Sequence, residues 1–169
     1  MQRSLNQYFR GMSENIQAHG GYVDKFIGDG LMALFGLETD RETAAIQAIG
    51  AVRAMSEALA KLNIDLANEL SEPLRIGIGV HLGHVIVGEI GYGRAASLTA
   101  IADTVNVASR LEFMTKEYKS EVVISRDLAD AASVLTEGML SAELPIRGRT
   151  QPLSALILHR GTDLPTSAK

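Results

Sequence analysis

Apolar residues recur at helical spacing from Leu5 through Tyr8, Phe9 and Met12 to Ile16, which predicts a helix over residues 4–19. Gly20 and Gly21 end it. Residues 22–27 then read as a strand, Gly28-Asp29-Gly30 as a tight hairpin turn, and residues 31–35 as the return strand. A longer helical pattern runs from Arg41 to about Leu70, carried by Ala45, Ile49, Val52, Leu59, Leu62 and Leu66, and Pro73 closes it. Residues 74–82 alternate, with Ile76, Ile78 and Val80 on one face, and Gly83 turns the chain into a second strand over 84–90. A glycine-punctuated loop at 91–94 leads to a short strand at 97–101. From Asp103 to about Lys116 the spacing is helical again, 121–125 reads as a buried strand, and 126–132 as a short helix. A last hairpin pairs roughly 138–144 with 153–159 across the loop 145–152, and the tail 161–169 is expected to fray.

Helices and strands mix without strict alternation, and hairpins recur. That pattern predicts an α+β fold, a largely antiparallel sheet with helices on one face. With 169 residues the chain is expected to form one domain, over residues 1–160, followed by a flexible tail. The formal net charge of −4 gives no bulk attraction to nucleic acid or to an anionic membrane, so any phosphate ligand must be met by a few placed cations. The chain has no cysteine, which excludes disulfides and thiolate metal sites. No apolar run approaches the ~18 residues of a membrane span. The segment therefore reads as making no membrane contact of its own.

Residues 101–112 (Ile-Ala-Asp-Thr-Val-Asn-Val-Ala-Ser-Arg-Leu-Glu) place a carboxylate, an amide and a guanidinium along the opening turns of one helix. Asp103 stands where a cap would accept from the free N–H groups of the first turn, and Asn106 and Arg110 are four apart on one face. The set suits a base, a ribose and a phosphate, and equally a capped helix with a solvated polar face. In the first hairpin Asp29 serves a tight turn on backbone grounds alone, or offers a carboxylate to a hard cation such as Mg²⁺. Period two puts Lys25 on the face of Val23 and Ile27, where it either snorkels to the edge or meets a ligand or partner. His81 and His84 flank the turn at Gly83; they could form a metal pair, but no carboxylate sits at ligand spacing beside them, and they read as ordinary strand-end histidines. Arg147 and Arg149 lie in the last hairpin loop, either solvated or able to close over phosphates.

Three stretches, in order and at consistent spacing, resemble the catalytic domain of class III nucleotidyl cyclases, bacterial adenylate cyclases above all. They are residues 20–36 (Gly-Gly-Tyr-Val-Asp-Lys-Phe-Ile-Gly-Asp-Gly-Leu-Met-Ala-Leu-Phe-Gly), 75–91 (Arg-Ile-Gly-Ile-Gly-Val-His-Leu-Gly-His-Val-Ile-Val-Gly-Glu-Ile-Gly) and 99–112. The resemblance spans the chain to about His159 and implies the ferredoxin-like cyclase fold. It implies an enzyme, a phosphorus–oxygen lyase that makes 3′,5′-cyclic AMP and pyrophosphate from ATP for signal transduction. Lys25 matches the lysine that reads the purine as adenine, and Asp103 the aspartate that accepts from the adenine amino group. Guanine-specific relatives usually carry Glu and a small residue such as Cys there. Asp29 matches the second of two metal-binding aspartates, Asn106 the ribose-orienting residue and Arg110 the arginine that stabilises the transition state. Arg147 falls where many members carry a phosphate-binding lysine. Two divalent cations, Mg²⁺ or Mn²⁺, are implied, as is a head-to-tail homodimer whose two sites lie between the chains. Upstream regulatory domains and a cytoplasmic setting, with membrane attachment open to the parent protein, follow from the same resemblance.

The pattern departs at three places. Members begin with a strand and loop carrying the first metal aspartate, in a segment resembling Phe-x-Asp-x-x-Gly-Phe-Thr, and none stands ahead of Ser4. The expectation is an N-terminally truncated domain of a larger cyclase, lacking its first strand and weak or inactive by itself. Leu98 stands where tyrosine is common, and Ala102 where glycine precedes the aspartate. The alternatives kept open are a catalytically dead nucleotide-binding or dimerisation module and a guanylate cyclase, which Lys25 and Asp103 disfavour.

Overall fold

Asp40 starts the longest helix by accepting a hydrogen bond from the backbone N–H of Thr43 at 2.7 Å, which satisfies one orphan donor of the first turn. Hydrogen bonding lowers the pKa of this carboxyl. The computed structural model describes residues 2–90, 97–101 and 103–166. In chain order the elements are α1 (Gln2–Ala18), β1 (Tyr22–Ile27), β2 (Gly30–Leu34), α2 (Arg41–Asp65), β3 (Ile78–Val80), β4 (Ile86–Ile90) and β5 (Ser97–Ile101). There follow α3 (Asp103–Glu117), β6 (Val122–Ser125), α4 (Arg126–Ala131), β7 (Leu140–Leu144) and β8 (Leu153–Leu158). The expected loop at 91–94 and the departure at Ala102 lie outside the described residues. Among the described residues no helix is long and apolar enough to cross a membrane.

The main sheet runs β3-β6-β8-β7, with β3 and β6 parallel and the other pairs antiparallel. Alternation in β6 sends Val122 and Ile124 to a core formed with Ile49 and Val52 of α2 and Leu128 of α4. It sends Val123 the other way, to Val107, Leu111 and Met114 of α3. The α+β class stands, but helices cover both faces of this sheet where one face was expected. The physical reason is visible in β6 itself: all four of its residues are buried, and a strand buried on both faces needs a cover on each.

The seat of α3 is set by glycine. A Cβ at Gly79 would lie 2.2 Å from the backbone N of Glu112 and 2.4 Å from the carbonyl O of Ala108. At Gly77 it would lie 2.3 Å from Thr115 Oγ1. The side-chain-free face of β3 thus lets α3 sit directly on the strand. On the opposite face Ile76 and Ile78 join α1 and α2, through Met12, Ile16, Met55 and Leu59, and the hairpin residues Leu31, Ala33 and Phe35. The β1–β2 and β4–β5 hairpins form separate ladders, and β1 lies against β5.

The segment after β8 differs from the frayed tail expected. Residues Gly161–Asp163 form a 3₁₀ turn, and Leu164 is fully buried. Arg53 of α2 donates to the carbonyl of Thr162 at 3.1 Å and also to that of Leu164. The Glu121 carboxylate accepts from Ser56 Oγ and from the backbone N–H of Gly161, both at 2.6 Å. A Cβ at Gly161 would meet Val52 O at 2.9 Å, so a glycine is what lets the chain close on α2.

Candidate functional site

Pairing in the first hairpin is interrupted once. Val23 faces Ala33 and Lys25 faces Met32, so Asp24 is an extra residue, a β-bulge. One extra residue inverts every later position. Val23 shares the core face with Ala33, while Lys25 shares the face of Met32 and Leu34. This corrects the period-two expectation that Lys25 and Val23 share a face. The Lys25 side chain is 47% exposed and that of Asp24 only 1%, with Nζ and Oδ2 3.6 Å apart.

The hairpin tip carries Asp29 outward, exposed, next to Gly28 at φ +59°, a conformation glycine adopts without strain. Tyr8 of α1 reports on this corner. Its hydroxyl pKa is pushed up to about 12, first by burial and then by the negative charges of Asp29 and Glu112. Asp29 of the hairpin tip and Glu112 of α3 thus both act on this one phenol. The folded value lies above the ordinary 10.0, so the native state holds this proton more tightly. That stabilisation is whole below about pH 10 and is lost as pH rises through about 12. Tyr8→Phe is expected to flatten the loss of stability over that interval, read by urea unfolding at stepped alkaline pH. An unchanged slope would refute the assignment.

On α3 the buried residues are Val107, Leu111, Met114 and Thr115, and Asp103, Asn106 and Arg110 are exposed along one edge of that stripe. Asp103 is the first helical residue; a cap one position earlier would fall at 102, outside the described residues. The start of the helix is tied down by Thr104, whose Oγ1 donates to the carbonyl of His84 at 2.6 Å. β1, which carries Lys25, lies against β5, and β5 ends at Ile101, two positions before Asp103. Arg147 is exposed in the β7–β8 loop, next to a turn closed by the N–H of Arg149 on the carbonyl of Ile146 at 3.1 Å. Ile146 packs against the cluster that seats α3, which brings the loop alongside that helix.

His81, just past β3, is half-buried; burial lowers its pKa, the negative charge of Asp127 opposes that, and Arg149 reinforces it. His84 is exposed. Among the described residues no three His, Cys, Asp or Glu side chains gather as a metal cluster. Sequence reasoning missed Tyr8, read only as an apolar helix position, together with Glu112 and the bulge at Asp24. The adjacent Asp-Lys pair inside an otherwise apolar strand was the available signal.

Two curated relatives are informative. An adenylate cyclase of Anabaena cylindrica is 32% identical over 159 residues, covering 90% of this chain and 31% of the relative. Adenylate cyclase 1 of Rhizobium meliloti is 37% identical over 122 residues, covering 72% of this chain and 18% of the relative. The chain thus spans less than a third of the length of either. Among solved structures, the guanylyl cyclase Cya2 superposes with a TM-score of 0.77 at 30% identity, over 92% of this chain and 78% of that one. The adenylyl cyclase CyaB from P. aeruginosa gives 0.76 at 27% identity, over 92% and 80%. The family model described as the adenylate and guanylate cyclase catalytic domain matches residues 1–153. On that match over nine-tenths of its length, this chain belongs to the adenylate and guanylate cyclase catalytic domain family.

Proposed function

We propose that this domain serves an adenylate cyclase that converts ATP to 3′,5′-cyclic AMP and pyrophosphate at a site shared by two copies of the chain. The fold alone does not choose the base, because a guanylyl and an adenylyl cyclase superpose on it equally well. The choice rests on two side chains. Adenine presents an acceptor at N1 and a donor at its amino group, whereas guanine presents a donor and an acceptor at the same places. An ammonium at Lys25 and a carboxylate at Asp103 match adenine and mismatch guanine. That complementary pair is the observation that carries the reading.

In the reaction the ribose 3′-oxygen bonds to the α-phosphorus, the bond from that phosphorus to the bridging oxygen breaks, and the hydroxyl proton passes to solvent. Asn106 orients the ribose. Arg110 and Arg147 offset charge as it builds on the phosphoryl oxygens, so little covalent work falls to the protein. Asp29, an exposed carboxylate on a hairpin tip, suits a divalent cation that takes its other ligands from phosphate and water. When bound, such a cation supplies Lewis acidity to the attacking and leaving oxygens. Asp29 belongs to one protomer, and Lys25, Asp103, Asn106 and Arg110 to its partner.

The test is selectivity. Lys25→Glu combined with Asp103→Cys is expected to lower the ATP-over-GTP ratio of kcat/KM by at least about tenfold. An unchanged ratio would remove both residues from base reading.

A further inference from the structure

We infer that Asp24 is a positioning residue for Lys25, an inference that rests on the reading of Lys25 above. In a regular strand adjacent side chains point to opposite faces and cannot meet. Here they do meet. The pairing skips from Val23↔Ala33 to Lys25↔Met32, and the inserted Asp24 brings its carboxylate within 3.6 Å of Lys25 Nζ. Bulges re-aim side chains, and the residue re-aimed here is the one assigned to the purine.

The burial pattern is lopsided in a telling way. The Asp24 side chain is 1% exposed, while the lysine beside it is 47% exposed. Hiding a carboxylate is costly unless it is paired, and here the Lys25 ammonium stands beside it. A surface lysine, for its part, gains little from a surface partner. What the arrangement does accomplish is directional. Lysine carries a point charge on a flexible four-carbon stem, and a fixed anion beneath it narrows the positions that its ammonium takes. A donor already aimed at adenine N1 loses less freedom when the base arrives. The strand is also held against rolling, since the ring of Phe26, on the opposite face from Lys25, meets Phe9 of α1 edge-on with centroids 5.2 Å apart.

Calorimetric titration of the full chain with 3′-deoxy-ATP and 3′-deoxy-GTP in Mg²⁺ tests this, because neither nucleotide can cyclise. The native chain is expected to prefer the adenine nucleotide, and Lys25→Met to abolish the preference. Asp24→Asn should weaken 3′-deoxy-ATP binding about five- to tenfold while leaving 3′-deoxy-GTP binding nearly unchanged. Added to Lys25→Met, it should change neither affinity further. Asp24→Glu keeps the charge but displaces it, and should give an intermediate ratio; it also serves if the asparagine variant does not fold. The proposal is overturned if Asp24→Asn, or Asp24→Glu in its place, leaves the ratio unchanged while Lys25→Met moves it. Equal weakening of both nucleotides, with or without Lys25, would show a merely structural role and overturn it too. If Lys25→Met leaves the ratio intact, or the native chain shows no preference, the reading of Lys25 fails first and this inference falls with it.

Discussion

Gly79→Ala is expected to cost about 3–5 kcal/mol of stability and to lower the melting temperature by roughly 10 °C. The added Cβ would lie 2.2 Å from Glu112 N and 2.4 Å from Ala108 O. Both atoms belong to the backbone of α3, so no side-chain rotation relieves the clash. Either the helix lifts from the sheet or β3 moves away from β6. Lifting α3 opens the layer formed by Val107, Leu111 and Met114 against Val123 and Ala155, all of them buried. The same helix carries Asp103, Asn106 and Arg110, so its displacement should also misplace those three groups together. Gly11 is the matched control: a Cβ there meets nothing within 4 Å, and its helical setting makes Gly11→Ala neutral to mildly stabilising. Thermal melts followed by circular dichroism decide the matter. A Gly79→Ala protein melting with the native chain would show that α3 is not seated on β3 as described.

The clearest parts of the fold were those in which local chemistry is self-sufficient. Tyr22–Ile27 and Ser97–Ile101 emerge with the expected bounds, and α2 begins at Arg41 because Asp40 is a side-chain cap one residue earlier. Where partners decide, the sequence said less. Residues 74–82 alternate well, yet only Ile78–Val80 finds a ladder, on β6, because a strand exists only as far as a neighbour bonds to it. Likewise α2 ends at Asp65 rather than Leu70, where turns replace the helix before Pro73. The site divides in the same way. The polar edge of α3 could be read from spacing alone, since Asn106 and Arg110 are four apart and flank the buried stripe. The facing of Lys25 could not, because a single inserted residue reverses the alternation, and the adjacent Asp24-Lys25 pair does not by itself say which residue is the extra one. Nor could the surroundings of Tyr8, which are set by charges on a hairpin tip and on a helix distant in sequence.

In the parent enzyme proposed above, Arg110→Ala is expected to lower kcat for cyclic AMP formation by about 10²–10³ with a much smaller change in KM. Arg110 is exposed on the outer side of α3, so its removal leaves the core intact and stability within about 0.5 kcal/mol of the native protein. A loss of activity without loss of fold would then mark an interaction made chiefly as charge develops at phosphorus. Arg110→Lys should recover little, because a point charge does not reproduce the planar fork of donors. The partition between protomers adds a sharper test. If Asp29 and Arg110 act in the same site from different chains, Asp29→Ala and Arg110→Ala proteins are each inactive as homodimers. Mixed, they form heterodimers holding one site with both residues native and one with neither. Random exchange makes about half of the dimers heterodimers, each with one working site of two, so about a quarter of native activity should return. No recovery on mixing, with subunit exchange verified by a tag, would mean that Asp29 and Arg110 serve one site from the same chain, or that no shared site exists.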